Sequence, residues 1–243
     1  MNLVKDPWIP VLFKNGDNRL VSLKEAFEKG REICDLSVKP IQRISLLRLF
    51  VCIVQAALDG PVDEEEWLEC KERLVDSACN YLEQKTDYFE LYGKKAFLQI
   101  PNLSVRENKE KSLVTLDPSS GGGSYNTPLF DRGSEVKGFE RNHSWKAIHL
   151  LVYLNFGPGG KVGQAQWHGN QISGSAKSSP CCGYVHTFLI GPNLIETVHL
   201  NLICKNNLQN LLNSEWGVPL WEKIPQGPAD ESAFKNAYET YLG

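Results

Sequence analysis

Residues 42–60, QRISLLRLFVCIVQAALDG, constrain the fold more than any other part of the chain. Wound at 3.6 residues per turn, this stretch is apolar on nearly every face, so little of its surface suits water. Pro40 marks its start and Asp59-Gly60 its stop. Such a helix needs neighbours on most sides, which makes it the expected centre of a helical core. A second helix is predicted over residues 63–84, DEEEWLECKERLVDSACNYLEQ. Its first-turn acids Glu64, Glu65 and Glu66 suit the helix dipole and need no metal to explain them. Trp67, Leu68, Leu74, Val75, Cys79 and Leu82 form the stripe expected to face inward.

Shorter signals fill in the remainder. Trp8 to Phe13 and Leu20-Val21 flank the turn residues Asn15-Gly16-Asp17, a hairpin pattern. Ser22 stands three residues before Glu25, the spacing of a capping box, and Gly30 supplies a stop for that short helix. Tyr88 to Pro101 is aromatic and β-prone, 106–111 is a charged loop, and 118–124 (PSSGGGS) reads as a flexible linker. After Tyr125 to Phe130 and the mixed-charge stretch 131–140, a helix is predicted from His143 to Phe156, stopping at Gly157-Pro158. Val185 to Ile190 reads as a short strand. Leu194 to Leu212 reads as a helix with Leu200, Ile203, Leu208 and Leu211 inward, and a polar tail follows Glu222. The sum predicts an α+β fold: a mainly helical single large domain with small antiparallel sheets and long loops.

With 243 residues, 42% of them hydrophobic, the chain can bury a full core and is not a disordered polymer. No stretch is expected to reach the length of an apolar membrane span, and Asp6 sits where a signal peptide would need its hydrophobic region, so a cytoplasmic address is expected. The cysteines, at 34, 52, 70, 79, 181, 182 and 204, are odd in number and lack a C-x-x-C pair, which predicts reduced thiols. Cys181 and Cys182 are adjacent, so their side chains point apart in an extended loop, and no histidine has ligand spacing around them. Neither a metal nor a cofactor is expected.

Charge is distributed unevenly. The first 140 residues carry 19 basic and 23 acidic side chains, and residues 196–243 carry 3 and 6. Residues 141–195 carry Arg141, Lys146, Lys161 and Lys177 and no acid at all. That window is where a polyanion would be accommodated. It includes residues 157–183, GPGGKVGQAQWHGNQISGSAKSSPCCG, whose small side chains let backbone N–H groups approach a ligand. An uncharged Gly/Ser/Asn tract is also what an ordinary surface loop looks like. A sequence pI near 6.0 excludes a protein that coats nucleic acid by bulk charge. Because the tract leaves a helix C-terminus, the helix dipole does not attract an anion there; side-chain cations and loop amides must do so.

Two nucleotide motifs fail in this tract. Val162 follows Lys161 where a phosphate loop needs Ser or Thr, and Val162 also stands where the dinucleotide pattern needs its third glycine. A small-molecule hydrolase using His168 with Ser173 or Ser175 is the alternative function. It lacks G-x-S-x-G, a strand leading into the serine, and an orienting acid within the window. His149, His186 and His199 sit among apolar residues and read as core histidines. Trp167 and Tyr184 read as loop anchors, with base stacking as their other possible use.

Four stretches carry a family resemblance: NLVKDPWIPVLFKNGDNRLVSLKEAF at the start, ISLLRLFVCIVQAAL, KVGQAQWHGNQISGSAKSS, and WGVPLWE near the end. Their order and spacing resemble the large subunit of the type I-E CRISPR Cascade complex, the CasA family. The resemblance implies that residues 1–243 are the N-terminal domain of a non-catalytic subunit. Its implied partners are the other Cascade subunits with their guide RNA, target double-stranded DNA and the helicase-nuclease of the interference step, with no membrane. It implies recognition of a protospacer-adjacent motif by a glycine-bearing loop that enters the minor groove. The matching position is Gly174, between Ser173 and Ser175, with Lys177 and Lys161 as the nearby cations. The minor groove is narrow and its acceptor pattern degenerate, so a reader without a bulky side chain approaches closely and tolerates several sequences. A second implied contact, with the complex near the guide's handle, matches residues 131–139 and includes Arg132, Gly133 and Lys137. In the family, a further lysine, a glutamine-bearing wedge and a C-terminal four-helix bundle follow the region matched here. The chain is therefore expected to hold part of the DNA-reading apparatus.

Overall fold

The computed structural model describes residues 1–107, 113–117, 142–161, 165–172 and 174–243. They group into two compact units: residues 1–38, 47–101 and 188–243 form the first, and 39–46 with 102–187 form the second. The positions Arg132, Gly133, Lys137 and Ser173 lie outside the described residues.

The first unit opens with the expected hairpin, β1 (Ile9–Phe13) against β2 (Asn18–Val21), in the register Ile9 to Val21 and Val11 to Arg19. Ile9, Val11 and Phe13 point inward, as period-two alternation requires. Ser22 caps α1 (Leu23–Glu28) by accepting from Glu25 N–H at 3.1 Å. A third antiparallel strand, β3 (Ile33–Leu36), joins the free edge of β1. The sequence reading missed it because four residues with a buried, exposed, exposed, buried pattern carry no alternation.

Helix α2 (Pro40–Leu58) follows, and Phe50, Ile53, Val54 and Gln55 on it are fully buried. Its 19 residues, with a mean hydropathy of 1.6, meet the length and composition of a membrane span, which corrects the expectation that no stretch does so. Half of the qualifying window is buried within the fold. Helix α3 (Glu64–Gln84) is capped by Asp63, which accepts from Glu66 N–H at 3.0 Å. Of the predicted stripe, Leu74 and Leu82 are buried and Trp67, Val75 and Cys79 half-buried, and Cys70 and Ala78 complete an unbroken i, i+4 row with the first two. Leu68 is 67% exposed. Helix α1 packs against this helix.

Three further expectations are corrected here. Residues 88–101 form no strand; a 3-10 turn (Thr86–Phe89) leads into a cluster in which Phe89 stacks on Phe97 at 5.1 Å and both rings border Trp221. The aromatic residues there were selected for burial, which sequence reading confuses with strand preference. Residues 185–190 form no strand either: Asn201 occupies the backbone of Leu189, accepting from its N–H at 3.1 Å and donating to its carbonyl at 2.7 Å. The same Asn201 ends α5 (Leu194–Leu200), so the helix predicted to Leu212 is divided, and α6 (Lys205–Leu212) starts anew. Val198 and Leu208 are buried, while Leu200 and Ile203 are half-buried. The tail is also not featureless: Asp230 caps α7 (Glu231–Glu239).

Side-chain hydrogen bonds fasten the later segments to α2 and α3. Gln55, buried in α2, donates to Ile203 C=O at 2.9 Å and accepts from the Tyr241 hydroxyl at 2.7 Å. On α3, the Tyr81 hydroxyl accepts from Trp221 Nε1 at 2.8 Å and donates to Glu222 at 2.6 Å. The WGVPLWE stretch is therefore a structural fastening.

The second unit is built around a helix that will be labelled after the strands of its chain order: β4 (Leu103–Val105) precedes α4 (His143–Phe156), and β5 (Gly160–Lys161), β6 (Ala165–Trp167), β7 (Asn170–Gln171) and β8 (Ser175–Ala176) follow. One antiparallel sheet has the order β4-β6-β7, and β5 pairs with β8 in another. Asn142 caps α4 through Trp145 N–H at 3.1 Å. His149 on this helix is buried, as read: it stacks on Trp145 at 4.0 Å, and its Nδ1 donates to Trp145 C=O at 2.9 Å. Asp117 lies 3.5 Å from the other ring nitrogen. Among the described residues the chain is thus α+β, with small antiparallel sheets beside mainly helical segments.

Candidate nucleic-acid interface

The acid-free tract begins where α4 ends, and the helix end fixes it in place. The last carbonyls of a helix have no partner within it. Here Tyr153 C=O accepts from Gly157 N–H at 2.7 Å and from the Ser179 hydroxyl at 3.1 Å, while Asn155 C=O accepts from Cys181 N–H at 2.9 Å. Ser179 N–H also donates to Gly157 C=O at 2.8 Å. Residues 157 and 179 are thereby clasped together, and everything between them is an excursion from one helix terminus. A Cβ on Gly157 would stand 2.6 Å from Tyr153 O and 3.0 Å from the Ser179 hydroxyl, so the clasp needs glycine. Beyond it, His186 Nε2 donates to Cys181 C=O at 2.8 Å, and its ring meets Phe156 edge-on at 5.6 Å.

Within the excursion, β5 and β8 make a two-stranded ribbon in which Gly160 faces Ala176 and Lys161 faces Ser175. Gly159, at φ +73°, lies against the opposite strand: a Cβ there would meet Ala176 O at 2.6 Å. Gly174 precedes β8 at φ +109°, with nothing within 4 Å of where a Cβ would stand. Gly174, Ser175, Ala176 and Lys177 are all exposed. Four of the residues singled out in the sequence, Lys161, Gly174, Ser175 and Lys177, are therefore brought together on one ribbon. Its backbone approaches a ligand at Gly174 without a side chain in the way, and Lys177 supplies a cation one residue past the strand.

Two strands of the other sheet, β6 and β7, lie inside the same excursion and pair there with β4 from outside it. Strands β6 and β7 are joined by His168 and Gly169, at φ +49° and +78°, the two positive angles of a tight hairpin turn. Trp167 is only 5% exposed and holds this hairpin down, the anchoring role expected of it. Tyr184, by contrast, is 75% exposed. His168 stands at the hairpin tip of one sheet and Ser175 in β8 of the other, while Ser173 lies outside the described residues. The clasp residues Asn155, Ser179 and His186 were not legible, because hydrogen bonds between side chains and distant backbone have no local spacing.

This chain was compared with known proteins. The family described as CRISPR-associated protein Cse1 matches residues 2–240. The CRISPR-associated protein CasA/Cse1 of Thermus thermophilus is 31% identical over 229 residues, which are 92% of this chain and 42% of that protein. The chain thus spans less than half the length of this curated relative. The crystal structure of Thermobifida fusca Cse1 superposes with a TM-score of 0.77 at 24% identity, over 98% of this chain and 46% of that one. A chain of a CRISPR RNA-guided surveillance complex shares the fold with a TM-score of 0.62 at 18% identity, over 83% of this chain and 43% of its own.

Proposed function

The chain belongs to the CRISPR-associated Cse1 family, and on that premise we propose that it is the N-terminal domain of the large subunit of an RNA-guided surveillance complex. In this role it is non-catalytic and cytoplasmic. It helps to recognise the protospacer-adjacent motif in target double-stranded DNA and to recruit the helicase-nuclease. Its partners are the other Cascade subunits with their guide RNA.

The observation that carries the reading is the ribbon: an exposed, acid-free pair of strands with the unobstructed glycine Gly174 beside Ser175 and Lys177. A groove about 6 Å wide admits backbone more readily than a bulky side chain. Cations beside such a contact fix its register on phosphates, while the close approach itself reads groove shape. Residues 131–139, with Arg132, Gly133 and Lys137, are proposed to contact the assembled complex near the guide's handle.

The test uses the assembled complex and a motif-bearing duplex. Gly174→Trp places a ring where the groove wall should come and is expected to weaken binding by about tenfold or more, the discrimination of one good base contact. Lys177→Glu is expected to weaken binding by about tenfold and to flatten its salt dependence by about one charge. Neither site is buried, so both variants should keep the far-ultraviolet dichroism of the parent. Unaltered binding with an unaltered salt slope in both variants would defeat the proposal.

A further inference from the structure

A second exposed loop, in the first unit, has the chemistry of a single-strand contact. Residues 91–101 contain Lys94 and Lys95 and no acid. Lys94 and Lys95 lie in a short excursion closed at its base by Phe97 N–H to Glu90 C=O, 2.6 Å, and by Gln99 Nε2 to Leu91 C=O, 2.9 Å. Beneath it, Phe89, Phe97 and Trp221 form the aromatic cluster already described, and Leu91 and Phe97 are buried. The base is therefore rigid. At the tip, Gly93 turns at φ +119° with open space around it, Lys94 and Lys95 are exposed, and Tyr92 is 43% exposed.

Neither lysine meets a carboxylate within 4 Å among the described residues. The adjacent acid, Glu90, is held at the base by Asn2 Nδ2 at 2.9 Å and by the Met1 ammonium at 3.5 Å. A pair of exposed cations and a half-exposed aromatic ring on one turn is the combination that grips a phosphodiester chain and stacks an unpaired base. A duplex keeps its bases stacked on one another and offers the ring nothing. We propose that the loop Leu91–Phe97 binds single-stranded nucleic acid without sequence preference, Lys94 and Lys95 on phosphates and Tyr92 against a base. This contact is separate from the ribbon of Gly174 and does not depend on that reading.

Fluorescently labelled oligo(dT), oligo(rU) and a duplex of equal length are titrated with the chain at low salt, following anisotropy. The single strands should bind more tightly than the duplex, and the tighter of the two identifies the strand as DNA or RNA. Tyr92→Ala should lower single-strand affinity by about fivefold or more while leaving duplex binding unchanged. Lys94→Glu with Lys95→Glu should lower it by about tenfold or more and flatten the salt dependence, and Lys94→Gln with Lys95→Gln should show a smaller loss in the same direction. Parent-like single-strand binding in these variants, or no preference for single strands in the parent, would overturn the proposal. Lys177→Glu serves as the internal control: if it alone weakens nucleic-acid binding, the ribbon stands and this loop does not.

Discussion

Gln55 shows how one polar side chain organises an apolar helix. It is fully buried, yet both ends of its amide are used, one on Ile203 C=O and the other on the Tyr241 hydroxyl. Gln55→Leu would leave that carbonyl and hydroxyl without partners, at a cost of about 2–4 kcal/mol. A urea midpoint equal to the parent's would count against this account. Tyr241 adds a pH dependence. Burial pushes its hydroxyl up to about 12, whereas an unfolded tyrosine ionises near 10. Between those values the unfolded chain binds fewer protons than the folded one. Stability is therefore full below about pH 10 and is lost as pH rises toward 12. Tyr241→Phe should make the alkaline loss shallower, as read from urea midpoints at neutral and alkaline pH, and an unaltered slope would remove Tyr241 as its source. Neither partnership was legible in the sequence, which shows Gln55 as an interruption of an apolar run and gives no sign that residues 148 and 186 positions away would satisfy it.

Elements with a period were legible; elements fixed by distant partners were not. The cap residue Ser22 and the helices α2, α3 and α4 follow from spacing alone, while Asp63, read as the first residue of α3, is its cap. The inward face of α3 followed in part: Leu74 and Leu82 are buried as read, Leu68 is exposed, and the small Cys70 and Ala78 that complete the packed row were not named. The break between α5 and α6 and the absent strand at 185–190 share one cause, the Asn201 side chain. For the candidate interface, charge counting located the acid-free window with Lys161 and Lys177, the family resemblance pointed to Gly174 and Ser175, and the structure adds their placement on one ribbon. The ribbon has its own test. Gly159→Ala sets a methyl 2.6 Å from Ala176 O at a left-handed backbone angle and should part β5 from β8. Amide exchange at residues 160, 161, 175 and 176 should then accelerate, while global stability falls by no more than about 1–2 kcal/mol, the local backbone cost. Unchanged exchange would show that the two strands do not hold one another.

For the whole molecule, the two compact units and the seven reduced cysteines offer a measurement of cooperativity. Cys34 is exposed, whereas burial pushes the Cys52 thiol on α2 up to about 12. Cys52 is half-buried, so iodoacetamide should modify Cys34 well before Cys52 in the folded protein. Labelling of both at one rate under native conditions would mean that α2 is not the centre of the core. Family membership was legible in four dispersed stretches because the WGVPLWE stretch and the opening hairpin fasten the body together. The excursion between Gly157 and Ser179 answers to a different constraint. Its ends already touch, and lengthening a closed loop costs only about 0.6 kcal/mol per doubling. Selection can therefore extend, shorten or rewrite its tip while the scaffold beneath is inherited intact.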